Sequence, residues 1–276
     1  MPEYGFDVIT STSNSNIKFI KALQMKKYRD EYGLFTAEGI KLVDEALASG
    51  HKLKYLLLAK ANADLTEKYR GQAERKGIQL LITADHVFDS ISDTKTPQGV
   101  MAVIHKKHYD LDTVLGGLEG FLVLLDGISD PGNLGTIIRT VDAAGGAGVV
   151  LLNSCTDPYG PKAVRSTMGS IFRVPVFESN DAPSLVTRLK NAGYHIAASH
   201  LAGSDVFRWK GGGPKTALII GSESRGVSRQ LTDLADSLIK IPMAGGAESL
   251  NASVAAGILI YEIYRKGIKM DMQSLE

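Results

Sequence analysis

Cysteine is nearly absent from this chain of 276 residues, in which Cys155 is the only one. A single cysteine excludes an intrachain disulfide and is typical of a reducing compartment. The six histidines are scattered, and no Cys/His spacing predicts a metal site. No apolar run reaches membrane-spanning length, and the N-terminus lacks the basic start and apolar core of a signal peptide. We therefore expect a cytoplasmic protein with neither a bound metal nor a membrane partner.

Net charge is also small, +1 at pH 7, so the total charge does not indicate a nucleic-acid ligand. The distribution is more informative, because residues 18–29 carry several cations and no acid. Clustered cations bind a polyanion through counterion release, so this strip is a candidate RNA contact; a solvated helix face is the alternative. The candidate RNA-binding residues are Lys18, Lys21, Lys26, Lys27 and Arg29.

The first part of the chain alternates short apolar runs with amphipathic stretches. This alternation predicts a small α/β domain over residues 1–108, with a loose lead-in over residues 1–12 and a polar linker over residues 109–119. Ser13 is the candidate N-cap of the first helix. The predicted helices cover residues 13–29, 38–48, 65–76 and 85–91, and the predicted strands cover residues 34–36, 53–59, 78–82 and 100–104.

From residue 120 to residue 276, short continuous apolar runs are separated by helical patterns. Such runs predict a parallel sheet covered by helices on both faces. Ligands of such sheets bind at the carboxyl ends of the strands, so the loops after Asp126, Gly221 and Ile241 form the expected site. The predicted strands cover residues 121–126, 149–152, 195–199, 217–221 and 238–241, and the predicted helices cover residues 134–144, 183–192 and 227–236.

The first of these loops contains Asn133, a candidate helix cap, and leads to Arg139 on the following helix. Gly135 has no side chain, so a ligand or another backbone can approach the first helical turn. The local spacing GNLG is not the G-x-G-x-x-G of a dinucleotide site, and the chain has no Walker A loop. These absences argue against a nucleotide-dependent metabolic enzyme on an ordinary doubly wound sheet.

The second loop places Glu223 between Gly221, which ends a predicted strand, and Gly226. Glu223 therefore lies on the ligand side of the predicted sheet, although a solvated loop acid is the alternative. Ser228 is a candidate cap of the helix that follows.

The third loop runs from Ile241 through a Gly-rich turn to Ser249 and Asn251, where a long apolar helix begins. This helix is apolar over too much of its surface to lie alone on a protein exterior. It is therefore expected to be buried in its own domain, against a second subunit, or both. A core helix with a Gly-rich lead-in is the simpler interpretation.

Three ordered motifs stand out in these loops: N-L-G-x-x-x-R over residues 133–139, G-x-E-x-x-G over residues 221–226, and I-P-M-x-G-x-x-x-S-L-N-x-S over residues 241–253. Together they closely resemble motifs one, two and three of the SpoU (TrmH) family of RNA ribose methyltransferases, within the SPOUT superfamily. The resemblance spans residues 121–266. A weaker resemblance, carried by FTAEGIKLVDEAL and TPQGVMAVI, relates the N-terminal half to the ribosomal-protein-like substrate-binding domain of many members.

The resemblance implies methyl transfer from S-adenosylmethionine to an RNA ribose 2′-hydroxyl by a homodimer. It implies an α/β fold in which a parallel sheet carries a C-terminal trefoil knot, plus a small N-terminal α/β domain. Ribosomal RNA is favoured over transfer RNA because of that extra domain; a transfer-RNA methyltransferase and a non-catalytic RNA-binding protein are the alternatives. The implied catalytic residues are Arg139, Asn133, Glu223, Ser249 and Asn251, and the implied donor-binding residues are Gly221, Ile241, Met243 and Leu250.

Overall fold

The computed structural model describes residues 7–112, 115 and 120–273, which form two compact units. Unit 1 comprises the residues up to His108 together with Tyr159–Phe172, and unit 2 comprises Tyr109–Pro158 and the residues from Arg173 onward. No sequence pattern indicated that residues 159–172 belong with unit 1. The chain therefore crosses between the two units three times rather than once.

Unit 1 contains a sheet of five strands in the order β1-β4-β3-β5-β2. The β1–β4 and β4–β3 pairs are parallel, whereas β5 is antiparallel to both of its neighbours. The strands are β1 (Val8–Ile9), β2 (Leu34–Glu38), β3 (Leu53–Ala59), β4 (Gln79–Thr83) and β5 (Val100–His105). The helices are α1 (Ser15–Ala22), α2 (Lys26–Tyr32), α3 (Ile40–Ala48), α4 (Ala63–Lys76), α5 (Asp85–Asp89) and α7 (Pro161–Thr167), numbered in chain order.

The start of unit 1 differs from the prediction in two ways. The lead-in contains β1, whose parallel pairing with β4 could not be seen in two residues of sequence. The predicted helix over residues 13–29 is two helices, because the chain turns between Leu23 and Met25. Asn14, rather than Ser13, caps the first helix by accepting a hydrogen bond from the Asn16 N–H at 2.9 Å.

Aromatic packing joins residues 159–172 to the rest of unit 1. Tyr159 precedes α7, and Phe172 ends the 3₁₀ turn Ser170–Phe172 that follows it. The ring centroids of Tyr159 and Phe172 lie 4.9 and 6.2 Å from that of Phe35, which is buried on β2. Burial of rings this large removes much apolar surface from water, which explains why the segment leaves unit 2.

Unit 2 contains a six-stranded, fully parallel sheet in the order β11-β9-β10-β6-β7-β8. The parallel sheet predicted from the continuous apolar runs is thus confirmed. Its strands are β6 (Leu122–Asp126), β7 (Gly148–Leu152), β8 (Val176–Glu178), β9 (His195–Asp205), β10 (Thr216–Gly221) and β11 (Ser237–Lys240). Its helices are α6 (Pro131–Ala143), α8 (Ala182–Asn191), α9 (Arg229–Leu234) and α10 (Ala252–Gln273).

Helices cover both faces of this sheet, and the central strands are buried throughout, as a sheet of this class requires. Strand β8 and helix α7 were not predicted, because three strand residues and a seven-residue helix carry little periodic signal. Residues 113, 114 and 116–119 of the predicted linker lie outside the described residues. Tyr109, Leu111 and Leu115 pack against the core of unit 2.

Helix α10 packs one face against α6 and β10. Ala256, Leu259, Ile260 and Ile263 are fully buried there. Across the described part of the chain, no helix is both long and apolar enough to cross a membrane.

Candidate functional site

The site lies at the carboxyl edge of the parallel sheet in unit 2. Strands β6 and β10 are neighbours there, and their last residues, Asp126 and Gly221, are paired in register. The first and second predicted loops therefore begin side by side. The third loop begins where β11 ends, two strands away, and runs to the start of α10.

Asn133 joins all three loops through its carboxamide group. Its Nδ2 donates a hydrogen bond to Oε1 of Glu223, in the second loop. Its Oδ1 accepts a hydrogen bond from Nδ2 of Asn251, at the end of the third loop, at 3.0 Å. These three residues, which were predicted from separate motifs, therefore form one hydrogen-bonded cluster.

The backbone around Asn133 differs from the prediction in one detail. Helix α6 begins at Pro131 and is capped by Asp130, whose Oδ1 accepts from the Asn133 N–H at 2.8 Å. Asn133 is therefore the third residue of the helix and not its cap. Because the main chain of Asn133 is held by Asp130, its side chain is free to link the loops.

Asn251 is held by the start of α10. Its Oδ1 accepts hydrogen bonds from the Ser253 N–H at 3.0 Å, the Ser253 hydroxyl at 2.6 Å and the Val254 N–H at 3.3 Å. This is the capping arrangement that satisfies the free amides at a helix N-terminus. One amide side chain thus fixes the helix start and donates to Asn133 at the same time.

The second loop turns tightly at Gly221. A Cβ at this position would lie 2.0 Å from the carbonyl carbon of Gly226, which is a backbone atom and cannot move aside. Gly226 has a φ of +67°, in the left-handed region that glycine adopts without strain, and its N–H donates to the Ser222 carbonyl at 2.9 Å. Both glycines are therefore required by the turn that positions Glu223.

The third loop, residues 241–250, is irregular and largely exposed. Among the described residues, its backbone N–H and C=O groups make no backbone–backbone hydrogen bonds. Ile241 and Leu250 are half-buried, and Met243 and Ser249 are exposed. The loop therefore presents unpaired backbone groups and apolar side chains together, which suits an organic ligand with a polar edge.

Arg139 and Ser249 lie outside the hydrogen-bonded cluster. Arg139 is exposed on α6, about 9 Å along the helix axis from Asn133. No partner for its guanidinium was found within the described ranges of the chain. Its charge is therefore available to a ligand.

Asp126 is a buried residue of the site that lies outside the three sequence motifs. Its Oδ1 accepts from Nδ2 of Asn153 at 2.7 Å, and its Oδ2 accepts from the Ser228 N–H at 2.7 Å. The carboxylate thus ties the loops after β7 and β10 to the end of β6. The sequence did carry a signal for this role, because an acidic residue at the end of an apolar strand is buried and a buried carboxylate needs hydrogen-bond donors.

Ser228 and Cys155 surround this carboxylate. Ser228 occupies the predicted cap position of α9, but its hydroxyl makes no capping bond and has no partner in the described structure. The Cys155 thiol donates to the carbonyls of Leu125 and Leu152 at 3.2 and 3.1 Å. Burial, and to a lesser degree the nearby Asp126 charge, raise the pKa of Cys155 above its usual value.

The predicted RNA-binding strip lies in unit 1, and the prediction for one of its five residues, Arg29, was wrong. Lys18, Lys21, Lys26 and Lys27 are exposed. Arg29 is buried, and its Nη1 donates to the Leu23 carbonyl at 2.7 Å, where it stabilises the turn between α1 and α2. Arg29 is therefore a structural residue and cannot serve as a surface phosphate contact.

An open depression of about 650 Å³ also lies in unit 1, away from all the predicted site residues. Its acid Asp44 is already bound by Lys68 at 2.8 Å and by the Tyr69 hydroxyl at 2.9 Å. Asp44 is therefore already compensated, and none of the predicted site residues lines the depression. Its lining residues are Ile40, Lys41, Asp44, Glu45, Ala48 and Gln98.

Two family models match this chain. The model of the SpoU rRNA Methylase family matches residues 120–261, which include the entire hydrogen-bonded cluster. The model of the MRM3-like substrate binding domain matches residues 14–102, within unit 1. Together the two models leave residues 1–13, 103–119 and 262–276 unmatched.

Individual relatives match almost end to end. The 23S rRNA (guanosine(2553)-2′-O)-methyltransferase RlmP of Bacillus subtilis is 36% identical over 92% of this chain and 98% of its own length. An AdoMet-bound rRNA methyltransferase from Sinorhizobium meliloti superposes with a TM-score of 0.84 at 36% identity, covering 94% and 97% of the two chains. The SpoU methyltransferase AviRb of Streptomyces viridochromogenes, in complex with AdoMet, gives a TM-score of 0.81 at 30% identity, covering 92% and 98%.

Proposed function

Because the chain belongs to the SpoU rRNA methylase family and is an S-adenosylmethionine-dependent RNA ribose methyltransferase, we propose that it methylates a ribose 2′-hydroxyl in ribosomal RNA. The family, the reaction and the methyl donor expected from the three motifs are thereby confirmed. The choice of ribosomal RNA is supported by the name of the B. subtilis relative, which acts on 23S rRNA. A cytoplasmic location is proposed with it, since a chain with a single cysteine suits a reducing compartment.

The main support for this site is the pair of hydrogen bonds that link Asn133 to Glu223 and to Asn251. Methyl transfer needs two reactants held in line, so most of the catalytic effect comes from positioning. Asn133 holds Glu223 and Asn251 in one cluster, although the three residues come from different loops. We assign Asn133, Glu223, Ser249 and Asn251 the role of orienting Arg139, the methyl donor and the ribose.

The third loop has the properties that S-adenosylmethionine requires. The unpaired backbone groups of residues 241–250 suit the polar edge of an adenine, and Ile241, Met243 and Leu250 offer apolar walls. Gly221 would be the fourth donor-binding residue, because its missing side chain lets the second loop pack closely. The bound donor supplies an electrophilic methyl group on a sulfonium sulfur.

The acceptor hydroxyl must lose a proton as it attacks, and at this exposed site the proton passes to water. Arg139 is an unsuitable proton acceptor, because a guanidinium stays protonated with a pKa above about 12. We assign Arg139 two tasks that its charge and exposure permit, a bidentate grip on the adjacent phosphate and stabilisation of the developing oxyanion. Because Arg139 lies along α6 from the cluster, it can contact the phosphate next to the ribose that the cluster orients.

We propose a homodimer formed through the outer face of α10. Val254 and Tyr261 on this face are 51% and 48% exposed, and Tyr264 is exposed beside Tyr261. Gly257 lies between them with open space around it, so a second backbone can approach closely. An apolar stripe of this kind on a solvent-facing helix is typical of a subunit interface.

The C-terminal trefoil knot is proposed from the family pattern. The high structural similarity to SpoU methyltransferases supports it. Knots are otherwise rare in proteins, so this feature rests on family membership.

We further propose that unit 1 is the ribosomal-protein-like domain that binds the RNA substrate. The MRM3-like substrate binding domain matches residues 14–102, which include the exposed lysines of α1 and α2. The proposed domain limits along the sequence are residues 1–108 for this domain, residues 109–119 for the linker and residues 120–276 for the methyltransferase domain, of which residues 159–172 pack with unit 1.

The decisive test is methylation of RNA from a strain that lacks this gene. The protein and labelled S-adenosylmethionine are incubated with ribosomal RNA and, separately, with transfer RNA, and the labelled nucleoside is identified after digestion. We expect label in a 2′-O-methylated nucleotide of ribosomal RNA, and none with the Arg139→Ala variant. Label confined to transfer RNA, or no label above the variant, would overturn the proposal.

A further inference from the structure

Four aromatic side chains cluster on the surface of unit 1, beside the predicted basic strip. We call Phe19, Tyr28, Tyr32 and Tyr55 the aromatic patch. The ring centroid of Phe19 lies 5.0 Å from that of Tyr32 and 6.3 Å from that of Tyr55. The rings of Tyr28 and Tyr32 are 6.1 Å apart and nearly parallel, with an interplanar angle of 10°.

The patch is open to solvent. Tyr32 is 43% exposed, and Tyr28, Phe19 and Tyr55 are half-buried. Within the described parts of the chain, the hydroxyls of the three tyrosines have no hydrogen-bond partner. Since large aromatic rings usually gain stability by burial, four contacting rings at the surface, one exposed and three half-buried, leave apolar ring area that a ligand can cover.

Lysines lie over the rings of the patch. The Nζ of Lys54 lies 5.1 Å from the Phe19 ring centroid and 5.5 Å from that of Tyr55. The Nζ of Lys27 lies 5.7 Å from the Tyr28 ring centroid. The exposed side chains of Lys18, Lys21 and Lys52 extend the positive charge along α1 and the start of β3.

The local potential is positive although acids are nearby. Asp30 on α2 is bound by Lys26 at 2.8 Å and by Lys106 at 2.7 Å, so its charge is compensated. Glu31 is the other acid of this helix, and it is exposed. The pKa of His105, at the end of β5, is lowered by burial and then by Lys52 and Lys54. Positive charge therefore dominates the end of the sheet where β3 begins and β5 ends, next to the patch.

We propose that the aromatic patch binds unpaired bases of the RNA substrate by stacking, while Lys27 and Lys54 contact the neighbouring phosphates. The proposal rests on the proposed function, because it takes RNA as the substrate. Bases in a duplex are stacked on each other and cannot reach a protein ring, so the patch fits a single-stranded segment or loop. Aromatic rings among cations are the usual means of binding such a segment.

The test compares binding of a labelled twelve-nucleotide oligouridine with binding of a duplex RNA of equal length, by fluorescence anisotropy. The wild-type protein is expected to prefer the single strand. The Tyr32→Ala variant should bind it about tenfold more weakly, with an unchanged salt dependence, since stacking carries no charge. The Tyr32→Phe variant keeps the ring and should bind like the wild type.

A matched pair of lysine variants separates charge from stacking. Lys54 precedes Tyr55 on β3 and Lys60 follows the far end of the same strand; both are exposed. The Lys54→Ala variant should weaken single-strand binding and reduce the slope of log affinity against log salt by about 0.7. The Lys60→Ala variant should leave both the affinity and the slope unchanged.

The outcomes distinguish this proposal from the proposed function. If Tyr32→Ala binds oligouridine as tightly as the wild type, or if duplex RNA binds equally well, the stacking proposal fails while methylation of ribosomal RNA is untouched. If the wild-type protein methylates no RNA but Tyr32→Ala loses single-strand binding, the stacking proposal stands and the proposed function fails. With ribosomal RNA as the varied substrate, Tyr32→Ala should raise KM and leave kcat unchanged.

Discussion

The carboxamides of Asn133 and Asn251 are joined by a hydrogen bond of 3.0 Å, although 118 residues separate them in the chain. Each side chain has a second partner, Glu223 for Asn133 and the first turn of α10 for Asn251. A change at either amide is therefore transmitted to all three loops. This linkage makes the cluster the most informative target for mutation.

The Asn133→Asp substitution should lower kcat by about 100-fold or more. It replaces the Nδ2 donor by an oxygen beside the Glu223 carboxylate, and two like charges at hydrogen-bond distance repel each other. The measurement is kcat with labelled donor and ribosomal RNA. Asn191→Asp, at the exposed end of α8, makes the same chemical change away from the site and serves as the control. A kcat within twofold of the wild type would contradict the assigned role.

The Asp126→Asn substitution should lower the Tm by about 5–10 °C. It places an amide where a buried carboxylate accepts from Asn153 and from the Ser228 N–H, so at least one charge-assisted hydrogen bond is lost. Such bonds contribute about 1.5–3 kcal/mol each, and a domain of this size loses about 2–4 °C per kcal/mol. Differential scanning fluorimetry measures the change, and an unaltered Tm would show that the carboxylate does not hold these loops.

The Gly221→Ala substitution should weaken S-adenosylmethionine binding at least tenfold and also lower the Tm. The added Cβ would meet the Gly226 backbone at 2.0 Å, so the second loop must shift. Isothermal titration calorimetry measures the affinity. Gly71→Ala, inside α4 with open space around it, is the matched control and should be neutral or slightly stabilising. If Gly221→Ala kept the affinity and Tm of the wild type, the backbones of Gly221 and Gly226 would not be in close contact.

The Val254→Asp and Tyr261→Asp substitutions should convert the proposed homodimer to a monomer of 29.6 kDa. A charge on the exposed face of α10 would be desolvated in an interface without a partner. Light scattering coupled to size-exclusion chromatography gives the mass. Met25→Asp, at a position that is 59% exposed in unit 1, should remain dimeric. A wild-type protein that is already monomeric would rule out this interface.

Cys155 should react slowly with a thiol reagent in the folded protein. Burial disfavours the thiolate and raises the pKa of Cys155, and only the thiolate reacts. The folded-state rate should therefore keep rising with pH beyond the point where the rate of the urea-unfolded chain has levelled off. Stopped-flow measurement with Ellman's reagent tests this. Equal rates in the folded and unfolded states would mean that the thiol is accessible.

Much of the fold could be predicted because its signals are local. The continuous apolar runs of β6 and β10 predicted buried parallel strands, and β3 was predicted with the bounds that the structure shows. The predictions failed where an element was too short to show a hydrophobic pattern, or where its environment was set by residues distant in the chain. Two residues of β1 form a strand only because β4 lies beside them, and the buried Arg29 looks in sequence like another surface cation.

The motifs indicated which residues belong to the site but not how they are joined. Nothing in the sequence shows that Asn133 accepts from Asn251 or that Asp126 holds two loops, since these contacts link residues far apart in the chain. The aromatic patch is likewise assembled from α1, α2 and β3.

The sequence by itself determined the family, the reaction and most of the longer strands and helices, because glycine spacing, apolar runs and polar motif residues are properties of neighbouring positions. Only the tertiary structure decided which carboxylate is buried, which cations are exposed and which side chains meet. The physical reason is that desolvation and hydrogen bonding depend on what surrounds a group in space, and the surroundings come from the whole folded chain.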